Sequence, residues 1–217
     1  MKIAWVTGAS GFWGRNVCLS LLRAGWRVRA LSRTKPEDVI GWASANGREV
    51  AWAPLDLRTL DLEALLAGDA PHALFHCAAL ISDDLDAMLD VNFRAPVRLI
   101  DPTLARMQAR GDGRIGVFMG QNARLGLPGL EQFSATQAAL WTWAEARQRS
   151  LRGTQVTLTL VFPPRAPSRL QGELAARSGR RPKVSRHAGA DKLVAAVLAG
   201  RRRAGRRPIL AGLSTMS

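Results

Sequence analysis

The chain has 217 residues, of which 47% are hydrophobic and 22% are charged. This composition excludes a disordered chain and fits one compact domain over residues 1–217. The two cysteines, Cys18 and Cys77, lie in apolar stretches, which predicts free thiols in a reducing, cytoplasmic location. No apolar run reaches the roughly 18 residues of a membrane span, and the chain enters directly into a strand pattern. We therefore expect neither a leader peptide nor a membrane partner.

The net charge of +14 is spread unevenly. Residues 1–150 hold 17 basic and 15 acidic side chains, whereas residues 151–217 hold 14 basic and 2 acidic ones. Clustered cations can bind nucleic acid. The arginine run 201–207, however, follows an apolar helix pattern, where cations stabilise the carboxyl end of a helix. We favour this helix-end interpretation over a nucleic-acid surface.

Apolar stretches of strand length alternate with helical patterns along the whole chain. The first strand spans residues 3–6, and the first helix spans 16–24 and ends at Gly25. Further strands are predicted at 26–31, 49–54, 73–79, 114–119, 156–162 and 208–211, and further helices at 60–66, 91–110, 133–151 and 191–198. This alternation predicts an α/β fold, a doubly wound parallel sheet with helices on both faces.

Two segments interrupt the regular pattern. Pro102 lies inside the long helical pattern at 91–110, so we expect a kink or an end of the helix there. Residues 165–190 are rich in Gly, Ser and Arg, which predicts either a flap on the substrate side or a flexible loop. No internal repeat or second domain is indicated.

A glycine turn directly follows the first strand, with the pattern Thr7-Gly8-x-x-Gly11-x-x-Gly14. Glycines at these positions permit a tight turn, a close approach of the backbone to a pyrophosphate, and close packing of helix on strand. The N–H groups at the start of the helix then face the anion. The turn, with Ser10, Phe12 and Trp13 between the glycines, therefore predicts a dinucleotide site that Trp13 covers.

The residue after the second strand indicates which dinucleotide binds. An acidic side chain there would bind a ribose hydroxyl, but this chain has Arg33, which can form a forked contact with a 2′-phosphate. NADP(H) is therefore favoured over NAD(H). Asp56 and Leu57, after the third strand, suit an adenine contact; for Asp56, a helix N-cap is an equal alternative.

These motifs are followed, in this order, by His76-Cys77-Ala78-Ala79 and Val91-Asn92. Together they resemble the short-chain dehydrogenase/reductase family over nearly the whole chain. The resemblance implies a Rossmann-type single domain. It also implies cofactor contacts from Ala78, Ala79, Gln137, Pro163 and Ser168, and a structural role for Asn92.

The resemblance fails at the catalytic positions. The family has a serine, a tyrosine and a lysine where this chain has Gly120, Phe133 and Gln137. In carbonyl reduction a donor must give a proton to the oxygen that gains negative charge, and Phe133 has none to give. Gln137 can bind a ribose but carries no charge. Of the four family positions, only Asn92 is retained.

Six polar residues are candidates for a substitute proton donor. The candidates are Gln121, Asn122, Gln132, Ser134, Thr136 and His187, none with a spacing that predicts an active-site role, so we favour surface or capping roles. His76 is interpreted as a packed histidine. No histidine spacing indicates a metal site.

The sequence leaves two functions open. The first is an NADP(H)-binding protein that carries out altered redox or non-redox chemistry on a small molecule of biosynthesis. The second is a catalytically inactive NADP(H) sensor or a supporting subunit of an active reductase. Trp141 and Trp143 lie on a helix whose family equivalent forms a dimer interface, so we expect a homodimer or tetramer, or a hetero-oligomer with an active relative.

Overall fold

A single seven-stranded sheet forms the centre of the protein. The computed structural model describes residues 1–68, 70–120, 123, 126–179 and 189–205. The strands are β1 (Ile3–Thr7), β2 (Arg27–Ser32), β3 (Val50–Pro54), β4 (Ala73–His76), β5 (Gly113–Phe118), β6 (Val156–Phe162) and β7 (Arg203–Gly205). Their order across the sheet is 3-2-1-4-5-6-7, and every neighbouring pair is parallel.

This strand order confirms the predicted doubly wound fold. The order runs outward in both directions from the neighbours β1 and β4, which makes their carboxyl ends the topological switch point. The first six strands lie where the sequence predicts them, with shifts of a few residues at their ends. The predicted strand at 208–211 falls outside the described residues, and β7 lies just before it.

Helices cover both faces of the sheet. They are α1 (Phe12–Arg23), α2 (Glu37–Ala45), α3 (Leu62–Leu66), α4 (Leu85–Leu89), α5 (Ala95–Arg110), α6 (Glu131–Ser150), α7 (Arg169–Ser178) and α8 (Ala190–Leu198). One apolar cluster packs α1, α2 and α8 on one face, and a second packs α3, α5 and α6 on the other. The sequence pattern did not predict α2, α4 or α7.

Pro102 does not end its helix, contrary to one expectation. The helix α5 continues through it from Ala95 to Arg110. Proline lacks the N–H that would bond to the carbonyl of Arg98, but Arg98 is exposed, so water can solvate that carbonyl. Beside it, Thr103 Oγ1 donates to the carbonyl oxygen of Leu99 at 2.7 Å. The local cost of the proline is thereby limited.

Several arginines have a structural role that the charge count does not reveal. Arg110 donates to the carbonyl oxygens of Ala70 and Pro71 at 2.7 and 2.8 Å. Arg114 likewise donates to Gln155, at 2.8 Å, and to Leu198, the last residue of α8, at 3.2 Å. The guanidinium groups thus satisfy loop and helix-end carbonyls. Part of the positive charge therefore stabilises the fold.

A buried polar pair joins the two strands at the switch point. Thr7, at the end of β1, and His76, at the end of β4, are fully buried, and Thr7 Oγ1 lies 2.8 Å from His76 Nδ1. Burial lowers the pKa of His76 to about 4, because a charged ring would lose its hydration there. His76 is therefore a neutral, packed histidine at neutral pH, in agreement with the sequence interpretation.

This burial predicts a pH-dependent stability. An unfolded chain protonates His76 near its ordinary pKa of 6.5, whereas the folded protein resists protonation down to about pH 4. Stability is therefore present above pH 6.5 and falls as the pH drops toward 4, by about 3 kcal/mol from this residue. Urea unfolding of the wild type and of His76→Asn at pH 7, 5.5 and 4.5 should show a shallower decline in the variant. Equal declines in the two proteins would contradict the assignment.

Candidate functional site

The parallel sheet brings the predicted cofactor residues to one edge. Residues 8–14 follow β1, Arg33 follows β2, residues 56–57 follow β3, residues 78–79 follow β4, Gly120 follows β5 and Pro163 follows β6. Since all carboxyl ends of parallel strands meet at the same edge, these residues surround the switch point between β1 and β4. The amino-terminal half of α6 adds Phe133 and Gln137.

The glycine turn depends on the absence of two side chains. Gly8 has a φ of +66°, and a Cβ there would lie 2.8 Å from the Cα of Ala78. A Cβ on Gly14 would lie 2.0 Å from the carbonyl oxygen of Gly8, a separation that no real side chain adopts. Only glycine therefore lets α1 pack this closely on β1 and lets the turn approach β4.

The amino end of α1 is available to an anion. Gly11 precedes the helix and provides no side-chain cap, and the first turn of α1 contains no acidic residue. Gly11 is exposed, and its neighbours Ser10 and Phe12 are half-buried. The positive end of the helix dipole and its N–H groups thus face the crevice. The turn fits a pyrophosphate, with Gly8, Ser10 and Gly11 as the residues that would hold it.

Trp13 packs against the protein rather than standing free above the turn. Its ring centroid lies 6.1 Å from that of Phe118, at the end of β5, and 5.3 Å from that of Phe12. The indole is half-buried and belongs to the apolar cluster beneath α1 and α8. Trp13 therefore forms a wall of the crevice between the glycine turn and β5.

The acidic residue after β3 is already paired. Asp56 accepts from the backbone N–H of Arg58 at 2.9 Å and from its guanidinium at 2.8 Å, so it caps the 3-10 turn Leu57–Thr59. Hydrogen bonds from Arg58 hold the pKa of Asp56 below its usual range, and the positive charge of Arg33 contributes. The capping alternative for Asp56 thus describes its contacts. Arg33 is exposed.

Asn92 fixes the loop after β4. It lies on a π-helical turn, Asp90–Arg94, between α4 and α5, and it is fully buried. Its side chain accepts from the N–H of Leu80 and donates to the carbonyl of Leu80, both at 2.8 Å, and donates to Thr136 at 3.1 Å. Asn92 therefore ties the segment that contains Ala78 and Ala79 to α6, which fits the structural role that the resemblance implies.

Gln137 and Gly120, two of the three residues at the family's catalytic positions, contact each other. Oε1 of Gln137 accepts from the backbone N–H of Gly120 at 3.0 Å. Gln137 is 2% exposed. The carboxamide thus joins α6 to the end of β5 through a neutral hydrogen bond.

Phe133 lies in an apolar environment. It is 3% exposed and forms a small cluster with Ile81 and Met88. Leu170 and Leu174 of α7 pack against this cluster. Ser168, predicted to contact the cofactor, accepts from the N–H of Gln171 at 3.1 Å and so caps α7. The described part of the segment 165–190 is thus largely helical.

The proposed substitute donors differ in their surroundings. Ser134 and Thr136 are buried, contrary to the surface roles favoured for them, and Thr136 Oγ1 donates to the carbonyl of Phe133 at 2.9 Å. Gln132 is exposed, as predicted. Gln121, Asn122 and His187 lie outside the described residues.

Other reactive groups have little role at this edge. Cys18 and Cys77 are free thiols, and burial raises the pKa of both, which makes them poor nucleophiles. Within the described ranges, no three His, Cys, Asp or Glu side chains gather as a metal site. Of the helices in the described part of the chain, none is long and apolar enough to cross a membrane.

The tryptophans of α6 and the basic residues that follow α8 have partners within the protomer. Trp141 is buried in the core, its ring centroid 4.6 Å from that of Phe162, so it is not a surface residue of the protomer; Trp143 is half-buried. Arg203 pairs with Glu145 at 2.7 Å. The preference for a helix-end interpretation of the run 201–207 stays a prediction, since residues 206–207 lie outside the described part.

Sequence reasoning missed two features of the site. The pair of Thr7 and His76 needs two strands to come together, and neither residue alone indicates it. Leu170 and Leu174 have the four-residue spacing of a helix face, a signal that the surrounding Gly, Ser and Arg residues obscured.

The Gln137 contact generates a stability prediction. Gln137→Lys removes the acceptor of the Gly120 N–H and places an ammonium group in a buried position. We expect a loss of about 1–3 kcal/mol in the free energy of unfolding, measured in urea. Gln137→Met also lacks the acceptor, so it should lower the free energy of unfolding as well. Gln132→Lys, an exposed change on the same helix, should stay within about 0.5 kcal/mol of the wild type. Equal stabilities for Gln137→Lys and Gln132→Lys would show that the hydrogen bond contributes nothing.

Solved structures share this fold. A variant of actinorhodin polyketide ketoreductase, determined with NADPH, superposes with a TM-score of 0.80 at 18% identity and covers 97% of each chain. A 3-oxoacyl (acyl-carrier-protein) reductase from Agrobacterium tumefaciens, with NADP bound, superposes with a TM-score of 0.77 at 21% identity, over 94% of this chain and 91% of that one. At these identities the likeness establishes the architecture alone.

Sequence relatives and a family profile identify the family as well as the fold. An uncharacterized short-chain type dehydrogenase/reductase of Sinorhizobium fredii is 29% identical over 194 residues, which cover 84% of this chain and 77% of the relative. The ketoacyl reductase HetN of a Nostoc species is 24% identical over 180 residues, 75% of this chain and 62% of the relative. The profile described as short chain dehydrogenase matches residues 2–178. Because this match spans most of the chain, the protein belongs to the short-chain dehydrogenase/reductase family.

Proposed function

We propose that this protein binds NADP(H) and does not carry out the carbonyl reduction that the family's Ser/Tyr/Lys set performs. The observation that carries the proposal is a contrast at one edge of the sheet. The glycine turn keeps a cradle that only glycine permits, while the three catalytic positions hold Gly120, Phe133 and Gln137.

Cofactor binding is supported by the residues after each strand. Gly8, Gly11 and Gly14 would place the N–H groups of α1 against a pyrophosphate. Ala78 and Ala79, beside the turn, would contact the nucleotide. Several proteins of the same fold contain NADP or NADPH in their solved structures. When bound, NADPH supplies a hydride.

Preference for the phosphorylated cofactor is supported by charge. Asp56 is paired with Arg58, which leaves the exposed guanidinium of Arg33 available for a 2′-phosphate. A forked guanidinium matches a phosphate group in geometry as well as charge. Leu57 is buried and Asp56 is half-buried directly after β3, where both would border the adenine.

The absence of standard reduction is supported by the environment of α6. A hydride acceptor needs a proton donor for its oxygen, worth typically 10²–10⁴-fold in rate. The Phe133 ring has no such proton and is enclosed by Ile81 and Met88. Gln137 is neutral and holds the Gly120 N–H, so it could orient a ribose but could not lower the pKa of a neighbouring acid.

Of the two roles compatible with such a site, a sensor or a supporting subunit of an active reductase is favoured. The packing of α7 against the Phe133 cluster supports this role, because it covers the side of the crevice where a substrate would react. Altered redox or non-redox chemistry on a small molecule is the second candidate. It is favoured by Asn92, which keeps its family position and its contact with α6. Copurification with a relative that retains tyrosine and lysine would support the subunit role, and a homodimer or tetramer alone would favour a sensor.

The first test is titration of the purified protein with NADPH and NADH, followed by tryptophan fluorescence. We expect NADPH to bind more tightly than NADH, without turnover of simple ketones. Arg33→Ala should weaken NADPH binding by about ten-fold or more and leave NADH binding unchanged, because only NADPH carries the 2′-phosphate. Arg48→Ala, an exposed arginine remote from the turn in sequence, is the matched control. Binding of neither cofactor would refute the proposal.

The second test restores the family's chemistry. The triple variant Gly120→Ser, Phe133→Tyr, Gln137→Lys should oxidise NADPH in the presence of a simple ketone, measured by the loss of absorbance at the nicotinamide band. The double variant Gly120→Ser, Gln137→Lys keeps Phe133 and should stay inactive, because it lacks the phenolic proton donor. Ketone reduction by the wild type at a rate equal to that of the triple variant would contradict the proposed loss of function.

A further inference from the structure

A cluster of cations and tryptophans lies at the edge of the sheet opposite the cofactor crevice. At this amino edge the strands β1 and β2 begin and the helices α1 and α2 end. Lys2, Arg23 and Arg27 are exposed there, and Trp26 and Trp42 are half-buried. We call these five residues the amino-edge corner, because the fold gathers them there from separate strands and helices.

The backbone brings Trp26 and Lys2 side by side. The N–H of Trp26 donates to the carbonyl oxygen of Leu21 at 3.0 Å, in the reverse turn that ends α1. The next residue, Arg27, begins β2 and donates its N–H to the carbonyl oxygen of Lys2 at 3.1 Å. Two main-chain hydrogen bonds therefore fix where the indole ring and the ammonium group meet.

Each tryptophan ring of the amino-edge corner has a cation over it. Lys2 Nζ lies 5.8 Å from the ring centroid of Trp26, and Arg23 Cζ lies 5.4 Å from that of Trp42. Such contacts are weak at exposed sites, and they leave the charge of the cation intact. Both cations are thus able to bind an anion.

Acidic side chains neutralise only part of this charge. Arg27 pairs with Glu49, and the two side chains are 44% and 53% exposed. Among the residues that the structure describes, neither Lys2 nor Arg23 forms an ion pair. The corner therefore keeps positive charge that the fold does not offset. It is distinct from the arginine run 201–207, for which the helix-end interpretation is favoured.

We propose that the amino-edge corner binds single-stranded nucleic acid, a function independent of the one proposed for the crevice. The ammonium group of Lys2 turns from the ring of Trp26 to a phosphate, which leaves the ring face to a base. Arg23 keeps its place over Trp42 and presents its own planar face to a second base. Stacking of a base on an aromatic ring is stronger than an exposed cation–π contact, so the exchange at Trp26 is favourable.

The aromatic rings determine which polyanion fits the corner. An acidic peptide or a phospholipid headgroup would bind the cations, but neither has a planar base that can stack on Trp26. A duplex also offers phosphates, but its bases are already paired and stacked on each other. Because neighbouring strands lie about 4.8 Å apart, the corner matches a few consecutive nucleotides of a single strand. Every base has a flat face, so we expect little sequence preference.

The first experiment measures the binding of a labelled oligodeoxythymidine of about 15 nucleotides by fluorescence anisotropy at about 50 mM salt. The double variant Lys2→Gln, Arg23→Gln should weaken binding by about ten-fold or more, because it removes two cations of the corner. The matched control Lys192→Gln, Arg98→Gln removes the same two charges from exposed positions elsewhere and should change the affinity less than about three-fold. Equal losses in the two double variants, or no binding by the wild type, would overturn the proposal.

The second experiment separates stacking from charge. Inorganic polyphosphate carries negative charge without bases, so it should bind more weakly than an oligonucleotide of equal charge and leave the tryptophan fluorescence unchanged. Trp26→Leu should weaken oligonucleotide binding by about five-fold or more and leave polyphosphate binding unchanged. If urea unfolding shows that Trp26→Leu does not fold, Trp42→Leu replaces it as the test variant.

NADPH at saturation shows at which edge the oligonucleotide binds. The crevice lies at the carboxyl edge of the sheet, so NADPH should not displace an oligonucleotide from the amino edge. Displacement by NADPH, equal binding of polyphosphate and oligonucleotide, or binding to phosphatidylglycerol vesicles but not to the oligonucleotide would each overturn the proposal. A protein that binds the oligonucleotide but no NADPH would refute the cofactor proposal alone.

Discussion

The contact between Gly14 and the carbonyl of Gly8 is the constraint on which the rest of the site depends. It lets α1 descend onto β1 until only backbone separates them, which directs the amino end of the helix into the crevice. A methyl group at Gly14 would lift the helix and remove the anion cradle. The same approach brings Gly8 against Ala78 and so sets the distance between the turn and β4. Cofactor binding in this fold is therefore first a matter of backbone packing, and only then of side chains.

The opposite half of the crevice is held by neutral hydrogen bonds. Asn92 fixes the loop at Leu80, and Gln137 fixes the end of β5 at Gly120, so both segments have a defined position without a charged residue between them. A lysine at 137 would carry a charge but no acceptor for the Gly120 N–H. Gln137→Lys is therefore expected to cost stability, so the amount of folded protein must be measured for every variant that contains it.

The sequence predicts the strands and the glycine turn better than the helices α4 and α7, for a physical reason. The stretch 3–6 of β1 is a continuous apolar run, and the glycine turn has a local pattern, so both can be recognised without knowledge of distant contacts. Helix α7 has a weak local signal, because no residue in it is buried and its two leucines find their partners on α4 and α6. Pro102 misled in the opposite direction, since the helix continues through it despite the missing hydrogen bond to the carbonyl of Arg98, an exposed residue. Where a structure depends on non-local packing, local patterns are a poor guide.

The side chain at position 133 affects both the chemistry of α6 and the packing of α7. With a tyrosine, the ring would need a polar partner for its hydroxyl, and the crevice would stay open and hydrated beside the nicotinamide. With phenylalanine, the ring has no such requirement, and burial of Leu170 and Leu174 against the cluster becomes favourable. The residue type at position 133 therefore determines both whether α6 offers a phenolic proton there and whether the two leucines of α7 can pack against it.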